Sequence, residues 1–382
     1  MDLKPAVTNC FLMKKIYLLF TVVILLNACT DARLYGPCDK DATPETRELY
    51  HSMQRLVGAG IMFGHHDDTG YGVNWKYDKE GSDVKSVTGQ YPAVYGWDLS
   101  KIEHDSLRDI NGLPFSVQKK RVKEAYERGG INTYSWHMDN PTDGKTAWDT
   151  TRHTVADIIP GGAFNDVYME YLDRAAKYLD DLTGNDGEHI PILFRPFHEL
   201  TGNWFWWGKN TCNADEFKTL WKFTVDYLRN SKKLHNLLIV YSVSDFKSEA
   251  DLMDRYPGDN YVDIIGVDSY CLKNVKLYQN NLDKQLAILD DVAAQHHKLS
   301  CLAETGYLNI PQSDWWTNVL LPVISKYNTS YIMMWRNAGP DQYYAPYPGQ
   351  QSAEDFKKFS KSEHLIFQNR LTPLAVYGRK LF

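Results

Sequence analysis

No long run of basic residues interrupts the 382-residue chain, and its formal charge is only -6. A nucleic-acid partner needs a basic patch or stripe, so no such partner is expected. No Gly-rich turn follows the first strand-like segment, which argues against a dinucleotide-binding open sheet. No H-E-x-x-H spacing is present, and no catalytic metal or other cofactor is expected. Cysteine is scarce, with six in the chain. Four of them, Cys38, Cys212, Cys271 and Cys301, fall at spacings unlike a zinc site. An exported protein can pair some of these thiols, and the sequence does not say which. Cys301 lies in an apolar strand-like run and reads as a buried thiol. No low-complexity linker divides the chain, and the segment lengths vary too much for a solenoid.

Aromatics are plentiful instead: 11 Trp and 25 Tyr. They can all be core, but flat apolar rings in this number also suit stacking against sugar faces. The N-terminus carries an address. Met13-Lys14-Lys15 precedes an apolar run from Ile16 to Leu26, followed by Asn27-Ala28-Cys29. Basic start, short apolar stretch and small residue describe an export signal, and the run is short for a membrane span. Leu26-Asn27-Ala28-Cys29 resembles a bacterial lipobox, which makes Cys29 the expected lipid anchor. Residues 1–28 are therefore expected as a lipoprotein signal with its true start at Met13, and 29–41 as a tether. The product would be an exported lipoprotein at the outer membrane, on its periplasmic face or at the cell surface.

From 42 to 382 short apolar segments alternate with helical patterns. Strands are expected at Gly60–His66, Ala93–Asp98, Ile131–His137, Ile192–Phe194 with its end marked by Pro196, Leu237–Val243, Val262–Tyr270, Leu299–Glu304 and Tyr331–Trp335. Helical periodicity runs through Asp166–Leu182 and through Leu282, Leu286, Leu289 and Ala293. It also marks Asp314–Tyr327, and Asn213-Ala214-Asp215-Glu216 reads as a capping box. Eight strands separated by helices indicate one (β/α)₈ TIM barrel, an α/β fold of a single domain, expected as a monomer.

Such barrels carry their chemistry at the C-terminal ends of the strands. Those ends hold His65-His66, Trp97-Asp98, Trp136-His137, His198-Glu199, Asp268-Ser269-Tyr270, Glu304 and Trp335-Arg336. The densest stretch is Ile190–Gly208, where I-P-I-L-F-R-P-F-H-E is followed by Trp204, Trp206 and Trp207. Buried charge is costly unless paired, so this crowding points to a site as well as to an ion pair among core indoles. Glu199 and Glu304 end the fourth and seventh strands and would face one another. Two carboxyls about 5–5.5 Å apart suit glycoside hydrolysis with retention, and about 6.5–9.5 Å suits inversion. One attacks the anomeric carbon. The other protonates the leaving oxygen and then activates water.

Three stretches resemble glycoside hydrolase family 26, the β-mannanase family: R-P-F-H-E-L-T-G-N-W-F-W-W-G, Y-P-G-D-N-Y-V-D-I-I-G-V-D-S-Y from Tyr256 to Tyr270, and A-E-T-G from Ala303 to Gly306. The resemblance spans nearly all of 60–340. It implies a retaining hydrolase of β-linked glycans, usually β-1,4-mannan, with Glu199 as acid/base and Glu304 as nucleophile. It further implies that His198 hydrogen-bonds near the nucleophile and that the Tyr270 hydroxyl positions it. Arg195 would pair with carboxylates below the sugar, or be a purely structural ion pair. His137 would contact the sugar before the scissile bond. Trp335 would form its stacking floor, and Trp204 the leaving-group side. Trp148 reads as a further wall or as core. His65, His66 and Asp98 are expected at the pocket margin, with Arg336 as a supporting residue. Two alternatives stand beside mannan hydrolysis. One is a β-1,3/1,4-glucanase, the other a non-catalytic glycan-binding lipoprotein, which would not need the glutamate pair. Loops 70–89 and 140–160 are long enough to block one end of a cleft, which leaves endo or exo action open.

Overall fold

The computed structural model describes residues 34–151 and 153–379. The expected signal segment and Cys29 lie outside them. From Gly36 onward the described residues form one compact unit.

Eight strands define it: β1 (Ile61–His66), β2 (Val94–Asp98), β3 (Ile131–Ser135), β4 (Ile192–Arg195), β5 (Leu237–Val243), β6 (Ile264–Cys271), β7 (Leu299–Tyr307) and β8 (Thr329–Met334). Each pairs in parallel with the next, and β1 also pairs with β8 from Met62↔Tyr331 to His65↔Met334, which closes the sheet into a barrel. Almost every strand residue is buried. Both faces of a parallel barrel strand pack against protein, one inward and one under the helices, so continuous apolar runs are what such strands require. A two-residue strand, Leu365–Ile366, pairs in parallel with the start of β1 at Ile61 and Met62.

Helix α1 (Pro44–Leu56) precedes β1, and α2 (Phe115–Glu127), α3 (Asn165–Asp180), α4 (Ala214–Asp226) and α5 (Val275–Gln295) account for much of the chain between the strands. On α5 Leu282, Leu286, Leu289 and Ala293 are buried, the stripe expected from their spacing. The Asn213–Glu216 capping box forms at α4: Asn213 Oδ1 accepts from the Glu216 backbone, and Glu216 accepts from the Asn213 backbone, both at 2.9 Å. The helix expected over Asp314–Tyr327 is shorter and irregular. A π turn, Trp316–Leu320, passes into a single α turn, Leu321–Ile324. Pro322 lacks an amide hydrogen and cannot donate one turn back, which breaks the regular ladder.

The bottom of the barrel is held by Asp263, just before β6. Its carboxylate accepts the backbone N–H of Ile239 at 2.7 Å and that of Cys38 at 2.6 Å. The segment expected as tether up to residue 41 is thus part of the fold from Cys38 onward. Cys38, Cys212, Cys271 and Cys301 are all free thiols, and Cys301 is fully buried as expected.

Candidate active site

The strands end slightly earlier or later than their sequence limits, and the differences place the site. β3 stops at Ser135 and β4 at Arg195, so His137, His198 and Glu199 stand on the first residues beyond the sheet. Pro196 ends the β4 ladder. Phe197 and Glu199 then take left-handed backbone angles, φ 52° and 54°. That conformation costs of order 1–3 kcal/mol at a residue with a side chain and persists only where packing enforces it. Here Phe197 is clasped by Trp206, Trp207, Phe217 and Trp221, with ring centroids 6.0 to 6.2 Å away. The Trp207 indole donates to the His198 carbonyl at 2.9 Å. Two of the tryptophans in the motif therefore hold the loop, while Trp204 faces outward.

A pocket of about 370 Å³ opens at this end of the barrel. Its walls include His137, Trp148, His198, Glu199, Trp204, Tyr270, Glu304 and Trp335, all expected from the sequence, joined by Phe205, Cys271, Leu272, Leu308 and Tyr344. One carboxylate oxygen from each of Glu199, Asp268 and Glu304 lies within 4.8 Å of the others. Glu199 and Glu304 thus meet at the close spacing that suits retention.

The two glutamates sit in different surroundings. Burial, then the charge of Glu304, pushes the Glu199 carboxyl up to about 7. Among the described residues its side-chain donor is the Trp204 indole, Nε1 to Oε2 at 2.6 Å. Gly202 makes room for that indole, since a Cβ there would lie 2.6 Å from the ring. Glu304 is ringed by donors. Tyr270 gives its hydroxyl to Oε2 at 2.7 Å, and Arg195 Nη2 bonds Oε1. Arg195 also pairs through Nη1 with Asp268 at 3.0 Å, so its guanidinium supplies the cation to both buried acids. Burial and the Glu304 charge raise the Tyr270 phenol well above its usual value, which keeps it a proton donor.

Gly306 has φ 155°, and a Cβ on it would meet the Tyr344 ring at 2.4 Å. The glycine of A-E-T-G therefore admits Tyr344 beside Tyr270, their centroids 5.8 Å apart. The sequence gives no signal for Tyr344, because its loop carries no periodic pattern.

The histidines form a chain. His137 Nδ1 lies 2.6 Å from Asp98, and its Nε2 lies 3.1 Å from His198 Nε2. Burial opposes a charge on His137, but the Asp98 carboxylate outweighs it and raises the imidazole. Burial and then the His137 charge hold His198 well below its usual value. The pair's proton therefore belongs on His137, and His198 is neutral. The hydrogen bond expected of His198 near the nucleophile is made to His137.

The margin residues are deeper than expected. Asp98 is fully buried beneath His137, and its carboxylate also accepts from Ser135 at 2.7 Å. His65 is buried against Asp68 at 2.7 Å, and Arg336 reaches the Tyr71 hydroxyl at 3.3 Å. None of these, nor His66, is among the pocket-lining residues. Trp148 settles on the wall side of its two readings: it is 47% exposed and stacked 5.4 Å from His137.

Residues 38–345 match the family model described as Glycosyl hydrolase family 26. A mannan endo-1,4-β-mannosidase of Bifidobacterium adolescentis is 32% identical across 87% of this chain, which spans only 35% of that relative's length. A Bacillus subtilis mannan endo-1,4-β-mannosidase is 28% identical over 68% of this chain and 74% of its own. The structure of a GH26 β-mannanase from Bacteroides ovatus superposes with a TM-score of 0.84 at 44% identity, covering 86% of this chain and 96% of that one.

Proposed function

The chain belongs to glycosyl hydrolase family 26, and we propose that it is a retaining endo-β-1,4-mannanase acting on mannan, galactomannan or glucomannan. The observation that carries this is the Glu199–Glu304 pair, two carboxylates at close spacing with opposite surroundings. Glu304, charged and aimed by Tyr270 and Arg195, attacks the anomeric carbon. As the glycosidic C–O bond breaks, Glu199 passes its proton to the leaving oxygen. A mannosyl–Glu304 ester results. Glu199, now a carboxylate, takes a proton from water, whose oxygen displaces Glu304 and restores both groups. A carboxyl with an affinity near neutral suits both the giving and the taking.

Trp335 serves as the floor beneath the sugar before the scissile bond, and Trp204 borders the leaving group while holding Glu199. Protonated His137 walls the same sugar, its two N–H groups directed to Asp98 and His198. The mannan endo-1,4-β-mannosidases and the GH26 β-mannanase to which the chain is similar support mannan as the substrate. The signal at Met13 to Ala28 and Cys29 support export as a lipoprotein anchored through Cys29. The test is a time course on mannohexaose beside mixed-linkage β-glucan. Short manno-oligosaccharides from the first, with no release from the second, are expected. The reverse preference would replace mannan by glucan.

A further inference from the structure

β1 ends on two histidines, and the second stands behind the pocket, not in it. His66 is 2% exposed, and its ring centroid lies 4.4 Å from that of Trp335, the planes inclined by 39°. Trp335 lines the pocket while His66 does not, so the imidazole supports the buried side of the indole. The space for that imidazole exists because residue 96 is glycine. A Cβ on Gly96, the β2 partner of His66, would lie 2.6 Å from His66 Cδ2. On its other edge His66 Nδ1 is 3.4 Å from the Asp67 carboxylate. Asp67 is itself fixed by the Tyr71 hydroxyl at 2.5 Å and the Asn111 amide at 3.0 Å.

Trp335 is tied to the barrel by its backbone, through an N–H bond to the Thr305 carbonyl at 3.2 Å. That bond fixes the Cα but leaves the side-chain torsions to packing. The other ring near it, His137, is 6.0 Å away. We propose that His66 is a positioning residue that fixes the angle of the Trp335 indole and acts through that ring alone. The role rests on the reading of Trp335 as the floor under the reacting sugar. A stacking floor held at one angle favours the ring shape nearest the transition state, so a loose floor slows turnover more than it weakens binding.

The test is a double-mutant cycle on mannohexaose, with kcat and KM measured for wild type, His66→Leu, Trp335→Ala and the pair. Leu fills most of the volume left by the imidazole but offers no flat face. We expect His66→Leu to lower kcat/KM about tenfold, chiefly through kcat, with its melting temperature close to wild type. In the Trp335→Ala background the same change should alter kcat/KM by less than about twofold, because residues acting through one another are not additive. Gly96→Ala pushes the imidazole without removing it and should reproduce the fall in kcat. Additive losses around the cycle, or wild-type turnover in both His66→Leu and Gly96→Ala, would overturn the proposal. Wild-type turnover in Trp335→Ala alone would instead remove the floor itself, and the role of His66 with it.

Discussion

The indole of Trp204 donates to Glu199 at 2.6 Å from a position that is itself 39% exposed at the pocket mouth. One side chain thus borders the pocket and holds the group proposed to protonate the leaving oxygen. Burial and the Glu304 charge push that carboxyl up to about 7. Only the protonated form can act in the first step, so kcat/KM for mannohexaose should fall as pH rises through about 7. In Glu199→Gln this alkaline limb should vanish, with the rate lowered by about 10²–10⁴. An unchanged limb in the variant would assign the titration to another group.

The same shift bears on stability. In the unfolded chain Glu199 ionises near the ordinary carboxylate value, whereas in the folded protein it keeps its proton up to about 7. Between those limits the folded state binds more protons, so raising the pH weakens it. Glu199→Gln lacks this loss. Its melting temperature should exceed that of wild type at pH 8, and the gap should close towards pH 4. Equal melting at pH 8 would contradict the raised value.

Tyr270 holds Glu304 at 2.7 Å. Tyr270→Phe keeps the ring and removes the donor. A fall in kcat of about 10- to 100-fold is expected, with little change in melting temperature, since the hydroxyl serves charge placement more than packing. A loss seen only in KM would place Tyr270 in substrate binding instead.

Arg195 is the cation for two buried acids, Asp268 and Glu304. Arg195→Met fills similar volume and leaves both carboxylates without it. Removing one partner of a buried ion pair is destabilising by roughly 3–5 kcal/mol. Urea unfolding should show a loss of that order, together with loss of turnover. A variant as stable as wild type would show that the acids find other partners.

Much of this was legible in the sequence because barrel strands are short, apolar and bounded by polar clusters. Strand β5 spans the residues that its apolar run marks, and the eight residues expected to bind or react all line one pocket. What escaped depended on depth and on irregular loops. His65 and Asp98 end strands, as pocket residues do, but their side chains are buried against Asp68 and His137. Sequence position gives the strand end and not the height of each side chain above the sheet. Leu272 and Leu308 line the pocket, the first largely and the second about half exposed, a placement that hydrophobicity cannot signal. Tyr344 packs where Gly306 leaves space for it, a long-range fit between β7 and the loop after β8.

The central claim is that Glu304 becomes covalently joined to the sugar while Glu199 moves the proton. It is tested most directly by trapping that ester with a 2-deoxy-2-fluoro-mannosyl fluoride, followed by peptide mass spectrometry. A mass increase of one fluorosugar on the peptide that carries Glu304, absent in Glu304→Ala, is the expected result. An adduct on Glu199, or hydrolysis of mannohexaose by Glu304→Ala at the wild-type rate, would contradict it.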